Sequence, residues 1–324
     1  MKRNRSIKWI AALSALLLLT SCAAAPDVHR TPEASGAAVQ AGDTLTVTDD
    51  LGRSVEVPRK PDRVAALIGS FADIWVLSGG GDSLIAAADD TWTSFDLALD
   101  EAVVNLGRTK EISLEALLAA QPELVLASCN TQADVDLLPT LEALDIPVLC
   151  FQVDRFDEYL HMLRICTEIT GSSDNYTTYG TQVQTQVEAA AARQDGSRPS
   201  VLYIRATASS CKAKGSEGSV LGEMLAELGC RNIADSEGAL LEQLSLEAIL
   251  AADPDDIFIV YQGADPTDAQ ALLEQTLLSN PAWTALRAVE EGRCFVMDPH
   301  LYNLKPNAQW GTAYEQLARL LYGA

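Results

Sequence analysis

Four cations, Arg108, Arg205, Lys212 and Lys214, stand in polar segments near strand-like runs, in a chain of formal net charge −22. Guanidinium and ammonium groups hold carboxylates or other oxyanions through charge-assisted hydrogen bonds. On so acidic a background such a group would suit an anionic small molecule. Trp92, Asn130 and Tyr261 each lie at or just past the end of an apolar strand-like run. Open α/β sheets bind ligands at those strand ends. His300, Tyr302 and Lys305 share the long segment Asp298–Pro306, and Tyr302 or His300 is of a type that can serve as an axial ligand to haem iron. The chain has three histidines, with His29 near the start, so a His-rich site for a bare metal ion is not expected. No base–nucleophile pairing, CxxC pair or Lys-Ser/Thr phosphate loop is present, and Ser78-Gly-Gly-Gly81 reads as a turn. These residues suit binding, with no catalytic residue and no resident cofactor expected.

Two carboxylates, Glu115 and Glu247, occupy matching places in a long-period repeat. Residues 112–128 read ISLEALLAAQPELVLAS, and residues 244–260 read LSLEAILAADPDDIFIV, 132 positions later. Solenoid units recur every few tens of residues, so this period implies two related lobes instead. Each unit is a helix followed by a strand. Ser113 and Ser245 are expected to cap the helices, with the glutamates favourable in the first turn.

The elements that must position these residues alternate. A hairpin is expected over 44–57 around Asp50-Leu-Gly-Arg53. Strands follow at 63–68, 83–88, 123–128 and 146–151, with helices at 71–77, 113–120, 133–144 and 156–170. The polar, Gln- and Ala-rich stretch 175–193 suits a helix bridging two bodies. The pattern then restarts, with strands at 201–204, 257–261 and 294–297 and helices at 220–228, 246–251, 269–278 and 311–322. Residues 206–219 read as a polar loop. The fold expected is α/β, two Rossmann-like lobes joined by a single long helix, with the ligand cleft between them. The divisions are 43–170 for the first lobe, 171–195 for the bridge and 196–324 for the second.

Residues 1–21 have the form of an export signal, with Lys2, Arg3, Arg5 and Lys8 ahead of an apolar run too short to span a bilayer. Leu19-Thr-Ser-Cys22 resembles the lipobox of bacterial lipoproteins, which implies cleavage before Cys22 and lipid attachment to it. Residues 22–42 are rich in Ala, Pro, Ser and Gly and read as a flexible tether. The acidic charge argues against nucleic acid. The cysteines beyond Cys22 lack the dense spacing of a disulfide framework and read mostly as free thiols.

The hairpin Val47-Thr-Asp-Asp-Leu-Gly-Arg-Ser-Val-Glu-Val-Pro58, followed by Pro61-Asp-Arg-Val64, resembles the opening of the class III substrate-binding proteins of ABC importers. The two Ser-Leu-Glu units, the single bridging helix and the lipobox are similar to that family too. The resemblance covers residues 43–324. It implies an extracytoplasmic, lipid-anchored monomer that captures an iron complex (a ferric siderophore, haem or cobalamin) and delivers it to an ABC permease dimer with its ATPase. It implies that Glu115 and Glu247 dock into arginine-containing pockets on the two permease subunits. It also implies ligand contacts at Arg108 and in the loop carrying His300, Tyr302 and Lys305. The basic residues favour a ferric chelate. Rivals are a ligand-sensing or adhesive surface lipoprotein of the same fold without transport, and an extracytoplasmic enzyme or metal-centre scaffold.

Overall fold

The computed structural model describes residues 43–323 except Asp96, Glu237 and Ala264. The expected signal and tether, with Cys22 and His29, lie outside the described residues. The hairpin forms as expected: β1 (Thr44–Thr48) pairs antiparallel with β2 (Ser54–Pro58), Val47 opposite Val55. Its turn is held by Asp49, whose carboxylate accepts the backbone N–H groups of Leu51 and Arg53 at 3.2 and 2.9 Å. Gly52 takes φ +76° there, a left-handed conformation that costs glycine nothing.

Two sheets follow. The first contains β3 (Val64–Ala66), β4 (Leu84–Ala87), β5 (Val104–Asn105), β6 (Leu124–Ser128) and β7 (Val148–Phe151), all parallel, in the order β5-β4-β3-β6-β7. The second contains β8 (Ser200–Ala206), β9 (Cys211–Lys214), β10 (Arg231–Asn232), β11 (Asp256–Tyr261) and β12 (Cys294–Met297). Its parallel order is β10-β8-β11-β12, and β9 runs antiparallel to β8. The repeat occupies equivalent positions. Helix Leu114–Ala119 feeds β6, flanked by β3 and β7, and helix Leu246–Ala252 feeds β11, flanked by β8 and β12. The hairpin is fastened to the first sheet, because Asp49 also accepts the Cys150 N–H of β7 at 3.2 Å.

Side chains on a strand alternate between faces, and here the alternation sorts three cores. Ala65, Val125, Ala127 and Cys150 lie in a core belonging to the first lobe. Leu202, Ile204, Ile257 and Ile259 lie in one belonging to the second. The opposite faces, with Val64, Leu124, Leu149, Val201, Tyr203, Phe258 and Val260, join one continuous core that runs through both lobes.

The chain crosses between lobes through helical turns Ser173–Tyr176, Thr177–Thr181 and Gln182–Ala191. This stretch buries only Gly180, Val183, Val187 and Ala190, in line with its polar sequence. It packs along the C-terminal helix Trp310–Tyr322. The two approach so closely at Gly311 that any Cβ there would collide with Gln186. Trp310 at the start of the C-terminal helix is fully buried against Phe156 and Tyr159, with ring centroids 6.0 and 6.5 Å apart. Those two rings belong to helix Phe156–Thr170 of the first lobe.

Three local differences from expectation have physical causes. The first helix begins at Gly69 and runs into a π-helical turn, Val76–Gly80, where Gly79 at φ +89° ends it. The expected loop after β4 holds a short helix, Asp90–Ser94, pinned because Asp90 accepts the Gly69 N–H at 2.9 Å. The polar loop 206–219 contains β9, which forms by pairing with the free edge of β8.

Candidate functional site

Parallel strands bring their C-terminal ends to one edge of each sheet, and the candidate residues lie at those strand ends, on the segments that leave them and on β9. A cleft of about 630 Å³ opens there. Thr93 and Ser94 line it from the first lobe. Tyr261 and Gln262 come from the end of β11, and Met297, His300 and Asn303 from β12 and its following loop. Its wall is mostly neutral, with amides, hydroxyls and apolar side chains together.

The structure brings together some expected residues and separates others. Tyr261 and His300 line the cleft. Burial raises the Tyr261 phenol above its usual range, so it stays neutral and can donate. Trp92, 41% exposed, stands on the short helix whose next residues line the cleft. Arg205 is half-buried and its Nη1 lies 3.5 Å from the Asn303 Oδ1. Lys212 and Lys214 lie on β9 beside it, and burial together with the charges of Arg205 and Lys212 lowers the Lys214 pKa. Arg108 is exposed in the loop after β5 and lines no part of the cleft. Tyr302 does not face the cleft. It is 1% exposed, and its hydroxyl donates to the Ala313 carbonyl at 3.0 Å, which fixes it as a packing residue in this conformation.

Asn130 and Lys305 meet on a residue that no sequence signal marked. Lys305 pairs with Asp154 at 3.3 Å, and the Asn130 Nδ2 donates to the other oxygen of that carboxylate at 2.6 Å. Asp154 follows β7 and Lys305 follows β12, so the pair ties one lobe to the other across the cleft. A second tie lies deeper. The Asn307 Nδ2 donates to the Ser70 carbonyl at 2.9 Å and to Asp73 at 2.7 Å. Burial raises the Asp73 pKa, and the Asn307 bond partly offsets that.

The first lobe's edge also holds two carboxylates, Asp134 buried and Asp90 half-buried. Burial lifts Asp90 to about 6 and Asp134 to about 7, against the pull of their bonds from Gly69 and Ser128. The Ser128 N–H donates to Asp134 at 2.8 Å, and the other oxygen of Asp134 has no hydrogen-bond partner among the described residues.

Glu115 and Glu247 are both exposed on equivalent helices. Ser113 accepts the Ala116 N–H at 3.2 Å and Ser245 that of Ala248 at 3.3 Å, so both serines are caps, as expected. Capping and outward display coexist. Cys129, Cys150, Cys166, Cys211, Cys230 and Cys294 are free thiols. Among the described residues no group of three His, Cys, Asp or Glu side chains could hold a metal ion, and no helix is long and apolar enough to cross a membrane.

Residues 64–301 match the family model described as periplasmic binding protein. The chain belongs to that family. Its members bind solutes outside the cytoplasm, and the resemblance read from the sequence holds at that level. No curated protein matches the chain by sequence. Among solved structures, the fold is similar to the periplasmic haem-binding protein RhuT from Roseiflexus sp. RS-1, at 21% identity and TM-score 0.64 over 81% of this chain and 98% of that one. It is similar to Staphylococcus aureus SirA, solved with staphyloferrin B, at 19% identity and TM-score 0.64 over 86% and 97%. It is similar to the vitamin B12 binding protein BtuF of Vibrio cholerae, at 18% identity and TM-score 0.65 over 82% and 98%. At such identities the likeness is one of fold.

Proposed function

We propose that this protein is the capture component of an ABC importer for a bulky metal chelate, with a ferric siderophore favoured over haem or cobalamin. The cleft between two related lobes carries this reading, since about 630 Å³ suits a ligand of several hundred daltons. The solved structures of similar fold include proteins named for haem, siderophores and vitamin B12. A ferric siderophore is favoured because basic side chains stand beside the cleft, whereas Tyr302 is committed to packing and leaves His300 as the exposed candidate for haem iron.

In this reading the chain is tethered through a lipid on Cys22. It acts as a monomer and offers Glu115 and Glu247 to the two halves of a permease that works with its ATPase. One exposed carboxylate per lobe on equivalent helices supports that two-point contact. The chain itself breaks no bond of the cargo.

The test is titration of the purified protein with haem, cobalamin and a set of ferric siderophores, following tryptophan fluorescence and the visible spectrum. Trp92 near the cleft is expected to be quenched saturably by one ferric chelate. A shift of the haem Soret band would move the assignment to haem and His300. Silence across the whole set would overturn the cargo assignment.

A further inference from the structure

Two of the six free thiols stand together. β6 and β7 run parallel, with Ala127 beside Cys150 and Ser128 beside Phe151. Cys129 is the next residue, and its N–H donates to the Phe151 carbonyl at 2.9 Å. Side chains alternate along a strand, so Cys129 follows Ala127 onto the face that Cys150 occupies. Cys150 lies in the first lobe's own core, and Cys129 packs against that core. There the two thiols are within hydrogen-bonding reach of each other.

Their surroundings make them unlike partners. The Cys150 thiol beside it holds Cys129 below the ordinary thiol range, against the effect of burial. The other five cysteines are raised: Cys150 by Cys129 and then by burial, and Cys166, Cys211, Cys230 and Cys294 by burial. Cys129 is half-buried where the chain leaves β6, whereas Cys150 is fully buried. The more readily ionised thiol is therefore the one a reagent can reach, and a second thiol stands directly behind it. The charge of Arg53 favours ionisation of that second thiol. The family works outside the cytoplasm, where thiols meet oxidising conditions.

We propose that Cys129 and Cys150 form a disulfide-exchange site whose closure loosens the tie across the cleft. The Cys129 thiolate attacks one sulfur of a small-molecule disulfide and expels a thiolate, leaving a mixed disulfide. Cys150 gives its proton to the expelled thiolate. Its sulfur then attacks Cys129 and expels the second thiolate, which takes up the proton that Cys129 had lost. Two S–H bonds of the protein and one S–S bond of the reagent become one S–S bond of the protein and two S–H bonds of the reagent.

Closure also moves the chain. A regular diagonal across neighbouring strands sets Cα atoms about 8 Å apart, and a disulfide needs less than about 7 Å. Closing the bond therefore draws Cys129 toward β7. Asn130 is its covalent neighbour and donates to Asp154 at 2.6 Å, on the carboxylate that pairs with Lys305 of the other lobe. That hydrogen bond is the one the shift breaks.

The experiment treats the purified full chain with oxidised glutathione or with dithiothreitol. The protein is then unfolded, its remaining thiols are alkylated, and its peptides are mapped by mass spectrometry. The oxidised wild type is expected to lose two alkylatable thiols and to yield peptides joined through Cys129 and Cys150. Cys129→Ser should leave Cys150 reduced, and Cys150→Ser should stop at a glutathione adduct on Cys129. Cys129 is half-buried, so its variant is expected to fold even if Cys150→Ser does not. Retention of both thiols under oxidant, or a bond from either to another cysteine, overturns the site. Small-angle scattering of the two redox states is expected to show wider lobe separation after oxidation. Identical profiles from reduced and fully joined protein overturn the link to the cleft. Neither measurement uses a cargo, so both stand apart from the import reading.

Discussion

The two lobes share a framework and differ in the charge they bring to the cleft. Both place a Ser-capped helix with an exposed glutamate before an interior strand one place from the sheet's edge. At the strand ends they diverge. The first lobe brings carboxylates there: Asp90 half-buried, Asp134 buried, and Asp154 facing across the cleft. The second brings Arg205, Lys212, Lys214 and Lys305, with one carboxylate, Asp298, in the cleft wall. Framework and chemistry are separable because strand ends lie outside the alternating core, where packing does not dictate residue type.

Several changes would break or sharpen that comparison. The largest effect is expected from severing the ground the lobes share. Trp310→Ala empties a fully buried site against Phe156 and Tyr159 and should cost about 3–5 kcal/mol, read by urea unfolding. A loss below about 1 kcal/mol would show that the two halves do not depend on this contact.

Next comes the symmetric pair. Glu115→Gln combined with Glu247→Gln should abolish uptake of the cargo in cells and leave its affinity for the purified protein unchanged. Weakened cargo binding in the double variant would sink the docking role.

A smaller effect tests the buried acids of the first lobe. Asp134 has a folded pKa of about 7, above its ordinary value of 3.8. The folded state therefore holds the proton more tightly, so this group favours folding at low pH and loses that contribution as pH rises from about 4 to about 7. Between pH 5 and pH 8 the stability of Asp134→Asn should gain on that of the wild type by about 2–3 kcal/mol. Parallel pH profiles of the two proteins would remove the carboxylate from the account.

The smallest change concerns the tie across the cleft. Asp154→Asn should cost about 1–2 kcal/mol, because side chains only 16% and 11% exposed are screened less than a surface pair and the change leaves Lys305 without its counter-charge. It should free Lys305 and widen the average lobe separation seen by small-angle scattering. An unchanged scattering profile would show that the deeper Asn307 contacts and the shared core hold the lobes together without this tie.

Much of this architecture was legible in the sequence. Helix Phe156–Thr170 could be read residue for residue, because its apolar period is regular and Gly171 ends it in a left-handed cap. The hairpin turn was equally plain, since Asp49 and Gly52 are the residue types that such a turn demands. β9 was not, because Cys-Lys-Ala-Lys has too few apolar residues to form a strand alone and takes its conformation from the edge of β8. At the site, Tyr261 could be placed from its strand end and His300 from the family resemblance, and both line the cleft. Asp154 could not, because its partner Lys305 is far away in sequence and no local pattern joins them. Tyr302 shows the converse limit: a loop tyrosine reads the same whether it turns outward or, as here, inward to Ala313.

The contact at Gly311 has a consequence for traffic at the membrane. With the C-terminal helix pressed onto the bridge and a core continuous through both lobes, the span between Glu115 and Glu247 is set by covalent and packed structure more than by what fills the cleft. If those carboxylates are the docking points, the vacant protein fits the permease nearly as well as the laden one. Vacant copies would then queue at the same door, and raising the amount of protein without raising its cargo would slow delivery.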